Sequence, residues 1–325
     1  MKLLSRLADQ EKRCRTMARM INRRNLMKSG ICLTSGLAGA GTGFPTVVHG
    51  APEAQPFNLN YAPHFGMFRH AGGEDLIGQL EFAAEQGFTA WEDNGMRERS
   101  VADQKKLGRA MDRLGMQMGV FVATKEFKKV TFAGRDQDVW DHVLADLRDS
   151  VAVSRRVNAK WMTVVPGHYD KGVEWDYQTA NCIELLKRCC DIFEPEGMVM
   201  VLEPLNWWRN HEGLFLHKSP QAYQICRAVD SPACKILFDI YHQQISEGNL
   251  IPNIDRAWSE IAYFQIGDNP GRREPGTGEI NYRNIFRHIH RKGFGGIMGM
   301  EHGNSQAGAA GDHAVIDAYR RADRF

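Results

Sequence analysis

Short apolar segments alternate with amphipathic segments after residue 55, and this alternation constrains the fold more than any other feature of the chain. The apolar segments have little polar alternation, which is typical of strands buried on both faces of a parallel sheet. The segments between them repeat apolar residues at helical spacing, and several end at a glycine, such as Gly87 and Gly293. The pattern predicts eight strand–helix units. The predicted strands are 57–62, 89–92, 117–123, 161–166, 198–204, 235–240, 262–267 and 297–301.

Eight such units match the usual size of a closed α/β barrel, the (β/α)₈ fold, in which helices surround a ring of parallel strands. An open, doubly wound parallel sheet is the alternative, and it usually requires a glycine-rich turn after the first strand. The segment at that place, residues 60–66, reads Asn-Tyr-Ala-Pro-His-Phe-Gly and is not such a turn. We therefore predict one barrel domain over residues 51–325, since no linker or internal repeat divides this range.

The first 50 residues differ from the rest in charge. They hold nine Lys or Arg and two acids, which leaves 32 basic and 37 acidic residues, a net charge of −5, in residues 51–325. Arg23 and Arg24 precede an apolar, glycine-rich stretch and a small-residue region near Ala51. This order is typical of a twin-arginine (Tat) signal peptide. Residues 1–50 are thus predicted to direct export into a bacterial periplasm through the Tat machinery, with a disordered basic tail as the alternative.

The mildly acidic body of the chain does not suggest a nucleic-acid surface. Each of the last four predicted strands ends in a glutamate, an aspartate or a glutamine. These residues are Glu203, Asp239, Gln265 and Glu301. In a barrel the C-terminal strand ends meet at one mouth, and carboxylates buried there are costly unless they are paired or bound to a cation.

Three carboxylates and one amide oxygen at one mouth suit a hard divalent ion such as Mg²⁺ or Mn²⁺. Ordinary polar caps at a solvated rim are the alternative for any single residue, but four in register favour a metal site. His64 and His168 end strands in the first half of the chain, and Asp268 follows the seventh strand. These three are predicted to face substrate at the same mouth, although a structural hydrogen-bonding role suits each histidine equally well.

Three segments at the ends of the fifth to seventh strands carry a resemblance to a known family. They are Glu203-Pro204-Leu205-Asn206, Asp239-Ile240-Tyr241-His242 and the run Gln265-Ile266-Gly267-Asp268-Asn269-Pro270-Gly271-Arg272-Arg273-Glu274-Pro275-Gly276-Thr277-Gly278-Glu279-Ile280. Residues 57–325 resemble the hydroxypyruvate isomerases, which are xylose-isomerase-like TIM barrels. The resemblance implies the same four metal ligands, with Glu203 and Glu301 also acting as the acid/base pair. It also implies that His242 and Arg272 face substrate.

The reaction implied by this resemblance is the conversion of hydroxypyruvate to tartronate semialdehyde. A proton leaves one carbon and returns to its neighbour through an enediolate, whose charge a divalent cation stabilises. The loop 269–279 is predicted to fold over the mouth, with Arg272 or Arg273 meeting a substrate carboxylate. A rigid surface loop with solvated charges is an equally good interpretation.

Two other functions stay open. One is an epimerase or lyase acting on oxidised sugars or glycosides with the same metal site, which export to the periplasm favours. The other is a non-catalytic sugar- or metal-binding protein, which the retention of both Glu203 and Glu301 disfavours. The expected partners are a small hydroxy-oxo acid or carbohydrate substrate and the Tat machinery. The resemblance also allows a homo-oligomer, since dimers and tetramers are common among such barrels.

Overall fold

A computed structural model describes residues 56–325, so the signal peptide predicted for residues 1–50 lies outside the described residues. The strands are β1 (Asn60–Ala62), β2 (Ala90–Trp91), β3 (Gln117–Met118), β4 (Phe121–Val130), β5 (Trp161–His168), β6 (Val199–Leu202), β7 (Cys234–Asp239), β8 (Ile261–Gln265) and β9 (Ile297–Gly299). The α-helices are α1 (Leu76–Glu85), α2 (Val101–Leu114), α3 (Gln137–Val157), α4 (Trp175–Phe193), α5 (Ser219–Val229), α6 (Ile240–Ser246), α7 (Leu250–Ala257), α8 (Tyr282–Arg291) and α9 (Gly308–Ala322).

The strands form one ring of parallel strands. Seven of them lie in the order β1-β9-β8-β7-β6-β5-β4, and β2 pairs with β3 in a second parallel ladder. The chain passes from β3 to β4 across only Gly119 and Val120, so these two segments together make the third strand of the ring. A parallel bridge between His64 and Glu92 joins the end of β1 to the end of β2. The predicted (β/α)₈ barrel is confirmed.

The third strand differs from its predicted extent, because it is interrupted at Gly119 and then continues to Val130. The interruption coincides with a side chain that crosses the barrel. A Cβ atom at Gly119 would lie 2.4 Å from Oη of Tyr263, and the N–H of Val120 donates to the same oxygen at 3.4 Å. The glycine thus leaves room for a tyrosine from the opposite side of the ring.

Two apolar layers hold the barrel together. Val199 and Val201 of β6 belong to a cluster inside the ring, whereas Met200 and Leu202 pack in the larger cluster between strands and helices. The remaining members of the inner cluster are Ala62, Ala90, Val120, Leu237, Tyr263 and Ile297. Because successive strand residues point to opposite faces, both faces of each strand are buried, as the apolar runs predict.

The helices begin and end at residues that fit their positions. The side chains of Asp75, Ser100 and Asp136 accept hydrogen bonds from the first free N–H groups of α1, α2 and α3. Helix α2 ends at Gly115, whose φ of 66° lies in the left-handed region that glycine adopts without strain. Within residues 56–325, none of the helices combines the length and hydrophobicity that crossing a bilayer requires.

Candidate active site

The ends of β6 to β9 bring the four predicted metal ligands to one mouth of the barrel. Asp239 and Gln265 end neighbouring strands and are register partners, and each is 1% exposed. Glu203 follows β6 and is also buried, whereas Glu301, two residues after β9, is partly exposed. Arg272 contacts both Asp239 and Glu301, which shows that the carboxylates on β7 and β9 face the same space.

These carboxylates make the mouth strongly acidic. Burial raises the pKa of Glu203 well above its usual range, and the charges of Glu301 and Asp239 raise it further. Burial likewise raises the pKa of Asp239 to about 7, although the guanidinium of Arg272 opposes this rise. Carboxylates gathered in this way favour the binding of a cation, which relieves their mutual repulsion.

Gln265 supplies the clearest sign that a cation fits here. Its Nε2 donates to Oε1 of Glu92 at 2.8 Å, whereas its buried Oε1 has no hydrogen-bond partner among the described residues. Buried polar atoms are nearly always paired, so an unpaired amide oxygen beside two carboxylates indicates an absent partner. Oxygen donors of this kind are the ligands of Mg²⁺ and Mn²⁺, and the residues present therefore fit such an ion.

His242 lies beside the ligands with its protonation state set by Asn206. The backbone N–H of Asn206 donates to Nδ1 of His242 at 3.2 Å, and the side-chain Nδ2 lies 2.6 Å from the same atom. Burial lowers the pKa of His242 well below its usual range, so the ring is neutral and carries its proton on Nε2.

The Nε2 atom of His242 lies 3.5 Å from Oδ2 of Asp239 and has no hydrogen-bond partner within residues 56–325. Ligand atoms of Glu203, Asp239 and His242 lie within 4.8 Å of one another, a spacing that a metal ion could bridge. A protonated Nε2 cannot bind a metal, however, because its lone pair holds the proton. The tautomer therefore favours a hydrogen bond from His242 to a substrate oxygen, the role predicted from the sequence.

Arg272 is the cation that the protein itself places at the mouth. Its Nη2 donates to Oε2 of Glu301 at 2.6 Å and lies 3.5 Å from Oδ2 of Asp239, while its guanidinium stacks on Tyr241 at 4.9 Å. Burial alone would lower the pKa of Arg272, but the carboxylates of Glu301, Asp239 and Glu203 raise it above its usual value. Arg272 has a φ of 50°, which is uncommon for a residue other than glycine.

Two residues that follow β2 belong to the site, although the sequence analysis did not identify them. Glu92 is 2% exposed and accepts hydrogen bonds from Oη of Tyr263 and Nε2 of Gln265, both at 2.8 Å. Burial raises the pKa of Glu92 to about 8, and Glu301 adds to the shift. Asn94 donates to Oε1 of Glu301 at 3.2 Å. Glu92 directly follows apolar strand residues, so the strand-end argument, applied to the second strand, would have found it.

The family model for the xylose isomerase-like TIM barrel matches residues 80–321 of the chain. The chain belongs to this family. As a xylose isomerase-like barrel it is similar to the hydroxypyruvate isomerase of Escherichia coli (strain K12), with 29% identity over 252 residues, covering 76% of this chain and 92% of that protein. It is 32% identical over 123 residues to the 2-oxo-tetronate isomerase of Cupriavidus necator, covering 38% of this chain and 47% of that protein.

Solved structures show the same family fold. The structure of the IOLI protein with a binding zinc atom matches with a TM-score of 0.64 and 16% identity, covering 81% of this chain and 96% of that one. At this identity the match shows the fold alone. The resemblance to hydroxypyruvate isomerases is confirmed over nearly the full length of the Escherichia coli protein, and both curated relatives are named isomerases.

The two histidines predicted at the mouth of this xylose isomerase-like barrel have backbone partners. Nε2 of His64 lies 3.1 Å from the carbonyl oxygen of His302, and Nε2 of His168 lies 3.1 Å from that of Glu212. The ring of His168 also packs closely on Gly213, where a Cβ atom would lie 2.0 Å from its Cε1. These contacts favour the structural role that the sequence left as an alternative.

The loop 269–279 is held by one buried carboxylate rather than left free to close. Asp268 accepts hydrogen bonds from the N–H groups of Gly276, Gly278 and Ile280 at 2.8, 2.9 and 3.1 Å. Both oxygens of Asp268, which was predicted to contact substrate, are thus engaged by the loop. The loop places Arg272 at the mouth, whereas the neighbouring Arg273 is exposed.

Asp268→Asn is expected to lower the free energy of unfolding by about 1–3 kcal/mol, because the amide offers one acceptor oxygen where the carboxylate offers two to the three loop N–H groups. Urea denaturation monitored by circular dichroism would measure this. Asp317→Asn, the same change at an exposed site, is the control and should stay within about 0.5 kcal/mol of the unsubstituted protein. Equal urea concentrations at the midpoint of unfolding for the two variants would show that Asp268 does not anchor the loop.

Proposed function

We propose that the protein is a divalent-metal-dependent isomerase that converts hydroxypyruvate to tartronate semialdehyde. The observation that carries this proposal is the convergence of Glu203 and Glu301 on one mouth with Asp239 and the unpaired amide oxygen of Gln265. The similarity to the Escherichia coli hydroxypyruvate isomerase over 92% of that protein supports the substrate class.

Glu203, Asp239, Gln265 and Glu301 would hold the ion, which would supply Lewis-acid stabilisation of the negative charge that develops on the substrate. Glu203 and Glu301 then act as the acid/base pair. One carboxylate removes a proton from the hydroxyl-bearing carbon next to the carbonyl, and a carboxyl group returns a proton to the former carbonyl carbon of the enediolate. The hydroxyl proton passes to the former carbonyl oxygen, so that the hydroxyl and the carbonyl exchange places. Burial and the neighbouring carboxylates raise the pKa of Glu203, which makes it a stronger proton acceptor than a solvent-exposed glutamate.

Arg272 and His242 are suited to orient a small oxo acid. The Nε of Arg272 is buried and has no hydrogen-bond partner in the described part of the chain, so it can donate to a substrate carboxylate. The protonated Nε2 of His242 is a second donor a short distance away. Together they would fix the acid end and one oxygen of the substrate, leaving its reacting carbons between the two glutamates.

An epimerase or lyase acting on oxidised sugars is the second candidate, favoured by an aromatic wall beside the mouth. His211 lies 5.5 Å from His242 between ring centroids and stacks on Phe127 at 5.1 Å, and Phe127 is 39% exposed. Such a wall offers apolar ring faces to a ligand larger than a three-carbon acid. Export through the Tat route, which we propose from residues 1–50, would bring the enzyme into contact with extracellular carbohydrate.

Hydroxypyruvate incubated with the protein and Mn²⁺ in D₂O is expected to incorporate deuterium and form tartronate semialdehyde. Removing the metal with EDTA should lower the rate by at least about 10²-fold, and added Mn²⁺ should restore it, because the cation stabilises the developing charge. EDTA already saturated with Mg²⁺ is the control. Bound Mn²⁺ without any exchange would reject this substrate, and oxidised sugars would be assayed next in the same way.

A further inference from the structure

Glu92 lies inside the barrel next to Gln265 and receives two directed hydrogen bonds. The N–H of Val120 donates to Oη of Tyr263, and this hydroxyl donates to Oε2 of Glu92. The remaining carboxylate oxygen, Oε1, accepts from Nε2 of Gln265. The tyrosine hydroxyl thus accepts from the backbone amide and donates its hydrogen to Glu92.

Two glycines of the barrel leave room for this carboxylate and its tyrosine partner. A Cβ atom at Gly299 would lie 1.8 Å from Oε2 of Glu92, and one at Gly119 would lie 2.4 Å from Oη of Tyr263. Real Cβ atoms do not approach other atoms so closely, so both strand positions require glycine as long as the Glu92–Tyr263 pair is in place. The glycines on β9 and beside β3 therefore belong to the same arrangement as the pair.

The chemistry of a glutamine ligand explains why such an arrangement is needed. The terminal amide of glutamine can rotate by half a turn with little change in shape, which exchanges its oxygen and its NH₂ group. Only the oxygen can bind a cation, because the NH₂ group presents two hydrogens. A carboxylate that accepts at both of its oxygens, as Glu92 does, holds the NH₂ group on its own side and turns the amide oxygen away from itself. A divalent cation in the site favours this ionised form of Glu92 over the protonated one.

We propose that Glu92 is a positioning residue that fixes the amide of Gln265 with Oε1 turned toward the cation, and thereby sets the affinity of the site for divalent metal. The inference rests on the metal site in the proposed function. It adds a residue outside the four ligands, and it assigns Gly299 and Gly119 the role of leaving room for Glu92 and Tyr263. Partners that orient metal ligands typically contribute 10- to 100-fold to metal affinity.

Mn²⁺ binding to the full-length protein, followed by the electron paramagnetic resonance signal of free Mn²⁺, tests this role without using turnover. Glu92→Gln is expected to raise the dissociation constant about 10- to 100-fold, because an amide can donate or accept and no longer selects one orientation. Glu98→Gln, the same change at an exposed position nearby, is the matched control and should leave the constant unchanged. Thermal unfolding of the metal-free proteins checks that both variants are folded.

A double-mutant cycle with Gln265→Ala separates positioning from a remote effect of the Glu92 charge. If Glu92 acts through Gln265, adding Glu92→Gln to Gln265→Ala should change the dissociation constant by less than about threefold. The proposal would be overturned if Glu92→Gln raised the Mn²⁺ dissociation constant by the same factor with Gln265 present and with Gln265→Ala. It would also be overturned if Glu92→Gln alone bound Mn²⁺ as tightly as the unsubstituted protein. Failure of the unsubstituted protein to bind Mn²⁺ would reject the proposed function itself.

A measurement on the unsubstituted protein keeps the test valid if Glu92→Gln does not fold. In a ¹⁵N-labelled sample, the side-chain amide signal that disappears in Gln265→Ala belongs to Gln265. Its hydrogens should exchange more slowly than those of exposed side-chain amides, both before and after Mg²⁺ is added, because they remain bonded to Glu92. Rapid exchange in the Mg²⁺-loaded protein would contradict the assigned orientation.

Discussion

Glu301→Gln and Glu203→Gln are each expected to lower kcat/KM for hydroxypyruvate by about 10²- to 10⁴-fold, the usual contribution of a positioned acid or base. An amide keeps an oxygen for the metal but cannot take up or release the proton that the reaction moves. Rates of product formation and of deuterium uptake in D₂O, measured at saturating Mn²⁺, would test both variants.

The two variants should also differ from each other. Loss of the group that removes the first proton stops deuterium uptake and product formation together, whereas loss of the group that returns a proton leaves uptake at the first carbon. Glu212→Gln, an exposed change in the segment that follows β6, is the control and should retain full activity. Turnover within a few fold of normal in either of the first two variants would remove that residue from the acid/base pair.

Arg272→Met is expected to change turnover and metal affinity in opposite directions. We expect kcat/KM to fall by about 10²-fold or more, because the variant loses a donor for the substrate carboxylate at a largely desolvated position. Mn²⁺ should bind more tightly, since a positive charge 2.6 Å from Oε2 of Glu301 no longer competes with the ion. Steady-state kinetics and Mn²⁺ titration would measure the two quantities.

Arg273→Met offers a matched control for this variant, because its side chain is exposed although it adjoins Arg272 in the loop. Arg273→Met should change neither kcat/KM nor the affinity for Mn²⁺ by more than about twofold. If Arg272→Met instead weakened Mn²⁺ binding as much as turnover, Arg272 would act by holding the carboxylates of Asp239 and Glu301 in place, and substrate binding would need another explanation.

Positions that follow from local pattern could be predicted from the sequence. The barrel follows from the repeated change between strand and helix periods, and Glu203, Asp239 and Gln265 follow from their place after buried strands. The break in the third strand could not be predicted, because it depends on Tyr263 reaching Gly119 from the other side of the ring. That contact is non-local, and Gly119 alone does not reveal which residue approaches it.

The roles of polar residues at the mouth were harder to predict than their positions. Asp268 follows a strand as Asp239 does, but its oxygens accept from loop N–H groups whose directions the sequence does not reveal. His168 ends β5 as predicted, yet its ring lies against Gly213 and the Glu212 carbonyl. The proton of His242 is placed by Asn206, which lies 36 positions earlier in the chain. Strand-end position identifies candidates, and long-range partners decide what each of them does.

The long third strand has an evolutionary consequence. β4 runs on to Val130 and carries Phe127 beyond the ring, where it stacks on His211, whereas the proposed metal ligands lie at the ends of β6 to β9. Phe127 is thus encoded apart from the proposed metal ligands, whereas its stacking partner His211 is encoded among them. A duplicated copy could acquire a new substrate through mutations in residues 121–130 while residues 203–301 stayed under unchanged selection.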